Sequence, residues 1–213
     1  LFTYYPFENI ICFFSQGKSV HSFIGKIVPV NLLYPANTLR RVKRNGINYC
    51  LDISDYQNWL VYFGLTNDLP LGLFELVKPN QIILDVGANI GQTGLKLIKL
   101  SNDTSTVICF EPHPHNFQKA KNNIKINNFH NISVLNLGLG SSSNRLLLSS
   151  NKFNSGGNKV VNEKTSDALI VEIETLDNIV TIKKLSSVDL IKIDVEGFEM
   201  EVLKGGIKTL KKY

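Results

Sequence analysis

Three short stretches of this sequence carry residue types and spacings that could do chemistry. The first is Asp85-Val86-Gly87-Ala88-Asn89-Ile90-Gly91, an acid followed by two glycines. Glycine lets a backbone turn sharply and approach a ligand with no Cβ in the way. The acid suits an ammonium group at the mouth of a crevice. The same spacing also serves a plain strand-to-helix turn. The second stretch is Phe110-Glu111-Pro112. An acid at a strand end can accept hydrogen bonds from both hydroxyls of a ribose. The third is Ile191-Lys192-Ile193-Asp194-Val195-Glu196-Gly197-Phe198-Glu199. Crowded carboxylates raise one another's pKa and can supply a base, and Asp194 and Glu196 are the candidates. Glu199 and Glu201 read as first-turn acids that complement a helix dipole. His113 is a third possible base, although Pro114 marks it as a helix-start residue.

Two cofactors suit the first two stretches. A dinucleotide rests its pyrophosphate on a G-x-G-x-x-G turn. Here the second glycine position is Asn89, and Asp85 would repel a pyrophosphate. S-adenosylmethionine has no phosphate, and its amino group could meet Asp85 directly or through water. Charge therefore favours S-adenosylmethionine over NAD. No His/carboxylate cluster has ligand spacing, so no metal is expected.

The elements that must hold these residues are legible from pattern. Strands are expected over 82–86, 106–110, 132–137, 146–148, 168–174 and 188–193. One helix carries Ile90, Gly94, Leu97 and Ile98; a second starts at Pro114 and buries Phe117, Ala120 and Ile124. Thr175 or Asp177 caps a short helix. A last single helix carries Phe198, Val202, Leu203, Ile207 and Leu210 on one side. Strands separated by helices imply βαβ units and a mostly parallel sheet with helices on both faces. The first third differs. It is rich in aromatics, and Asn45-Gly46 predicts a hairpin over 38–53, because a type I′ turn needs φ > 0 at both positions. Ser54 or Asp55 then caps a helix over 54–65, and Pro70 and Gly72 break the chain. Tyr4, Tyr5, Phe7, Phe13, Phe14, Tyr56, Trp59 and Tyr62 read as a small core. Arg40, Arg41, Lys43 and Arg44 read as the wet face of the hairpin. The paired asparagines at 122–123 and 127–128 read as codon bias.

The five motifs Asp85 to Gly91, Phe110-Glu111-Pro112, Asn136-Leu137-Gly138-Leu139-Gly140, Thr175-Leu176-Asp177-Asn178 and Ile191 to Glu199 together resemble the FkbM family of methyltransferases, in order and spacing, over about residues 80–210. The resemblance implies a class I, Rossmann-like methyltransferase domain over 80–213, preceded by an α+β appendage over 1–79. It implies a cofactor-binding set of Asp85, Gly87, Ala88, Asn89, Gly91, Glu111, Pro112, Asn136, Leu137, Gly138 and Asp194, with Asn136 to Gly138 along the adenine. Asp194 and Glu196 would face the methyl group and the acceptor. The acceptor would be a hydroxyl of a sugar, a glycan or a glycosylated metabolite. The family fold runs on through three more strands, so the resemblance also implies a C-terminally incomplete domain whose strand at 188–193 lies at an open edge.

Composition narrows the rest. The chain has 213 residues, 43% hydrophobic and 19% charged, which excludes a disordered, collagenous or coiled-coil chain. The net charge of +5 is spread, not gathered on one face, so nucleic acid is not expected as a partner. The longest strictly apolar run, residues 10–14, is far short of the ~20 residues that span a bilayer. Cys12, Cys50 and Cys109 are odd in number and without a CxxC pair, which fits a reducing, cytoplasmic location. An NAD-dependent oxidoreductase and a non-catalytic glycan-binding module stand as alternatives.

Overall fold

A computed structural model of the chain describes residues 5–66, 72–151, 154–161, 163 and 167–213. Tyr4 and Pro70 lie outside the described residues, as does the side chain of Tyr5. The chain divides into two compact units, residues 1–71 with 152–156, and residues 72–151 with 157–213.

The first unit is built on an antiparallel hairpin, β1 (Leu39–Arg44) and β2 (Ile47–Asp52). Asn45 (φ 49°) and Gly46 (φ 75°) make the expected left-handed turn. Ile47, Tyr49 and Leu51 alternate inward on β2. On β1 the basic run also alternates. Arg41 and Lys43 are exposed, whereas Arg40 binds Glu8 and Arg44 donates to the carbonyls of Val61 and Tyr62. Two of the four cations are thus structural. The helix α3 (Tyr56–Phe63) is capped by Asp55, which accepts from Asn58 N at 3.1 Å, and ends at the left-handed Gly64. Asp55 also accepts from Ser155 N at 2.6 Å and from its hydroxyl at 3.1 Å. Trp59 and Tyr62 are buried, as a small core requires. Phe13 and Phe14 are not. They sit on α1 (Tyr5–Ser15) and are 78% and 59% exposed, and Phe7 is exposed beside them. The cause is that α1 docks through polar residues instead.

The second unit opens with the one-turn helix α4 (Gly72–Glu75) and carries a four-stranded parallel sheet in the order β10-β3-β4-β5, with β3 (Ile82–Val86), β4 (Thr106–Phe110), β5 (Ile132–Leu135) and β10 (Leu190–Ile193). This is the parallel α/β sheet that the alternation of elements predicts, in the Rossmann-like arrangement that the family resemblance implies. Leu84, Val86, Ile108 and Phe110 face one core, shared with Leu176 and Ile179 of α7 (Leu176–Ile182) and Val202 of α8 (Glu199–Lys204). The residues between them face α5 (Gln92–Leu100), which follows the glycine-rich loop. The helix α6 (Pro114–Lys125) packs on β5. The chain leaves β3 towards β4 on one side and returns to β10 on the other. In open α/β sheets ligands bind at such a reversal, outside the carboxyl ends of the strands.

Two features differ from expectation. Residues 138–174 form a second, mixed sheet of order β6-β9-β7-β8, from β6 (Gly138–Leu139), β7 (Asn144–Leu148), β8 (Val160–Val161) and β9 (Leu169–Glu174). The single last helix is in fact two, α8 and α9 (Ile207–Lys212), with Ile207 and Leu210 exposed. The break is Gly205-Gly206. A Cβ on Gly205 would lie 1.9 Å from Gly140 O, so the chain turns where it meets the second sheet. Asp177 then accepts from Lys208 N and Thr209 N and starts α9.

Candidate active site

The glycine-rich loop leaves β3 with three left-handed residues in five, Gly87 (φ 79°), Asn89 (φ 50°) and Gly91 (φ 80°). Gly87 N and Ala88 N both donate to Phe110 O at 3.0 Å, and Gly91 N donates to Ala88 O at 2.8 Å. The loop is therefore bound to the end of β4. A Cβ on Gly87 would lie 2.0 Å from the backbone oxygen of Asp194, so this position admits only glycine. Gly94, one turn into α5, lies over β4; a Cβ there would lie 2.4 Å from Cys109 Sγ.

Glu111 is 5% exposed at the end of β4. Its Oε2 accepts from Asn89 N at 2.7 Å and its Oε1 from His113 N at 2.9 Å. Burial outweighs these two bonds and pushes its pKa up to about 7. Each oxygen keeps a further lone pair. Asn136 Nδ2 donates to the carbonyls of Glu111 and Pro112, at 3.0 Å each. A Cβ on Gly138 would meet Ile173 Cδ1 at 2.8 Å and Pro112 Cβ at 3.5 Å. Glu111, Pro112, Asn136 and Gly138 are thus gathered at one place, with half-buried Leu137 between the last two.

Asp85 is not at the mouth of the crevice. It is fully buried on the α5 side of the sheet. The ammonium it meets is Lys192, its register partner on β10, with Nζ 3.0 Å from Oδ1. That contact is an ion pair whose alignment falls short of a hydrogen bond; the aligned bond of Lys192 goes to Gly87 O at 2.9 Å. Lys192 also lies 3.8 Å from Asp194 Oδ2. The lysine therefore ties together the floor of the loop, the loop itself and the acidic turn. The repulsion of a pyrophosphate that Asp85 alone would exert is largely cancelled by this partner.

Asp194 N donates to Val86 O at 3.1 Å, which sets the acidic turn beside the loop. Asp194 and Glu196 are both exposed, and Glu196 (φ 51°) and Gly197 (φ 92°) turn the backbone through the left-handed region. Glu199 Oε1 accepts from Val195 N and Gly197 N at 3.2 Å each. Its own amide and that of Gly197 hold its carboxyl below the usual range, so it is a structural acid. His113 is the residue before α6, 7% exposed, with Nε2 3.1 Å from Ser150 Oγ and Nδ1 without a hydrogen bond. Burial, then His115 and Lys119, lower its pKa and keep the ring neutral. Among the described residues no three His, Cys, Asp or Glu side chains gather to hold a metal ion.

Two residues of the site have roles that the sequence does not announce. Lys192 is one: it lies within the motif Ile191 to Glu199, but only the register of β3 against β10 reveals its partner and role. Asn123 is the other. It is fully buried on α6, and its Nδ2 donates to Ile90 O of the loop at 3.0 Å, so codon bias does not account for it.

The model of the methyltransferase FkbM domain matches residues 85–213, which include every residue of this site. The chain is 31% identical over 146 residues to "Methyltransferase 1" of Beauveria bassiana, covering 59% of this chain and 58% of the relative. It is 27% identical over 139 residues to "Hexuronic acid methyltransferase AglP" of Haloferax volcanii, covering 65% of this chain and 55% of the relative. It thus spans little more than half the length of these curated relatives. The crystal structure of methyltransferase FkbM from Methylobacillus flagellatus aligns with a TM-score of 0.47 at 23% identity, covering 64% of this chain and 31% of that one. With the family model matching well over half of its residues, the chain belongs to the FkbM methyltransferase family.

Proposed function

We propose that the chain works as an S-adenosylmethionine-dependent O-methyltransferase on a hydroxyl of a sugar, a glycan or a glycosylated metabolite. The observation that carries this reading is Glu111. Its carboxylate is locked to the loop through Asn89 N and to the head of α6 through His113 N, and it retains the lone pairs that two ribose hydroxyls need. When bound, S-adenosylmethionine supplies an electrophilic methyl group for in-line displacement. Gly87, Ala88, Asn89 and Gly91 hold its methionine end, with Asp85 acting from beneath through Lys192. Pro112, Asn136, Leu137 and Gly138 line the adenine. Asp194, exposed beside the loop, takes the proton of the acceptor hydroxyl, and Glu196 orients that hydroxyl. His113, buried and bonded to Ser150, shapes the wall of the site rather than moving the proton.

The acceptor class draws support from the Haloferax relative, named for a hexuronic acid, a molecule whose nucleophilic positions are all oxygens. The three cysteines are thiols, which suits a reducing, cytoplasmic location. Incubation with methyl-labelled S-adenosylmethionine and a panel of nucleotide sugars and oligosaccharides tests the reading. The expected product is a methyl ether, and Asp194→Asn should slow its formation by about 10²–10⁴-fold while cofactor binding persists. Thermal protection by NADH and not by S-adenosylmethionine would transfer the site to an oxidoreductase. Sugar binding with no cofactor site would make it a glycan-binding module.

A further inference from the structure

The first helix is built inside out. Helix α1 buries Glu8 and Ser15 completely, and Cys12 nearly so, while Ile10, Phe13 and Phe14 face solvent. The orientation is fixed by specific bonds. Glu8 takes Arg40 Nε at 2.7 Å and Nη2 at 3.0 Å, and Tyr62 Oη at 3.2 Å. Ser15 Oγ donates to Phe63 O at 2.6 Å, and Cys12 Sγ lies 3.4 Å from Tyr62 O. Turning the aromatics inward would break this buried carboxylate–guanidinium pair. The exposed face is therefore enforced, and a contiguous apolar face of this kind marks a docking surface. The Phe13 and Phe14 rings meet edge to face at 5.3 Å. The helix α2 (Phe23–Ile27), which touches α1, adds Phe23 at 80% exposure.

The charge around this face is of one sign. Glu8 is the single acid among residues 5–44, and Arg40 consumes it. Lys18, three residues past α1, and Lys26, on α2, are exposed and have no acid in that stretch to answer them. Aromatic side chains flanked by lysines prefer the boundary between headgroups and acyl chains. A second copy of the same face would bring lysines against lysines, which disfavours self-pairing. No helix among the described residues is long and apolar enough to cross a membrane, so the element lies on a surface and does not span it. We propose that the α1–α2 face docks on a bilayer surface bearing anionic headgroups. This inference is independent of the methyltransferase reading.

Flotation of the full chain with vesicles tests it. Vesicles of phosphatidylcholine with a quarter phosphatidylglycerol should bind the chain about tenfold or more tightly than phosphatidylcholine alone. Added salt should erase that difference. Phe13→Ser with Phe14→Ser should lose binding to both vesicles by about tenfold or more. Lys18→Glu with Lys26→Glu should lower binding to the mixed vesicles to the phosphatidylcholine level. These side chains are exposed, so the melting curves should stay in place; should the phenylalanine pair fold poorly, Ile10→Ser with Phe23→Ser reads the same face. Absence of binding to the mixed vesicles, or binding that survives both apolar pairs, overturns the proposal. So does a dimer in light scattering that the Phe13/Phe14 pair dissolves, because the face would then belong to a second copy.

Discussion

Replacing Lys192 by methionine keeps the length of the side chain and deletes its charge. Asp85 then stays where it has no exposed surface, one strand away from the buried thiol of Cys109. Breaking a buried pair from one side costs about 3–5 kcal/mol, because the remaining charge is stranded. The Lys192 side chain keeps 14% of its exposure, so some water already reaches it. That places the expected loss near the low end, about 3 kcal/mol. Adding Asp85→Asn removes the stranded charge with little change of shape. The double variant should therefore recover about 2 kcal/mol relative to Lys192→Met alone. Urea unfolding gives the numbers, read as a shift of midpoint at constant slope. Ellipticity is the signal to follow, since the single tryptophan, Trp59, lies in the other unit. The same variant should bind S-adenosylmethionine more weakly, because Lys192 also anchors Gly87 O. A loss under about 1 kcal/mol, or single losses that simply add in the double variant, would refute the coupling on which this reasoning rests.

Glu111 predicts two pH dependences. In the fold it keeps its proton up to about pH 7, whereas an ordinary glutamate in the unfolded chain releases it near ~4.3. Between those values the folded state binds more protons, so stability falls as pH rises, by an amount on the order of 3 kcal/mol. Unfolding curves of Glu111→Gln should lack that slope. Ribose hydroxyls need the ionised carboxylate, so S-adenosylmethionine should bind about tenfold more weakly near pH ~6 than near pH ~8, measured by calorimetry. Gly87→Ala should abolish cofactor binding, because its Cβ cannot share space with Asp194 O and its backbone is left-handed; a titration with unchanged affinity would contradict this. Asp55→Ala loses a helix cap and strands the buried amide of Ser155, which should cost about 2–3 kcal/mol in urea unfolding.

Local chemistry was the most legible part of this sequence. Asn45-Gly46 defines its own turn, Asp55 its own cap, and Gly87 to Gly91 its own loop, because each signal lies within a few residues of its effect. The place of Glu111 beside that loop was also readable, since consecutive parallel strands set their ends side by side. Partners distant in sequence were not. The Asp85–Lys192 pair depends on the register of strands more than a hundred residues apart, so the carboxylate read as open although a lysine already fills its surroundings. Asn123 was hidden for the same reason. The split between α8 and α9 follows from a backbone approach to Gly140 that no periodicity encodes. Helix α1 reversed its expected faces because one buried ion pair and three side-chain hydrogen bonds outweigh the exposure of two phenylalanines.

The cofactor site made by the loop 87–91 and Glu111 is tested most directly by calorimetric titration of the chain with S-adenosylmethionine near pH ~8. A single site of micromolar affinity, weakened by Glu111→Gln, is expected. A flat titration of the folded parent chain, or an affinity indifferent to Glu111, would contradict it.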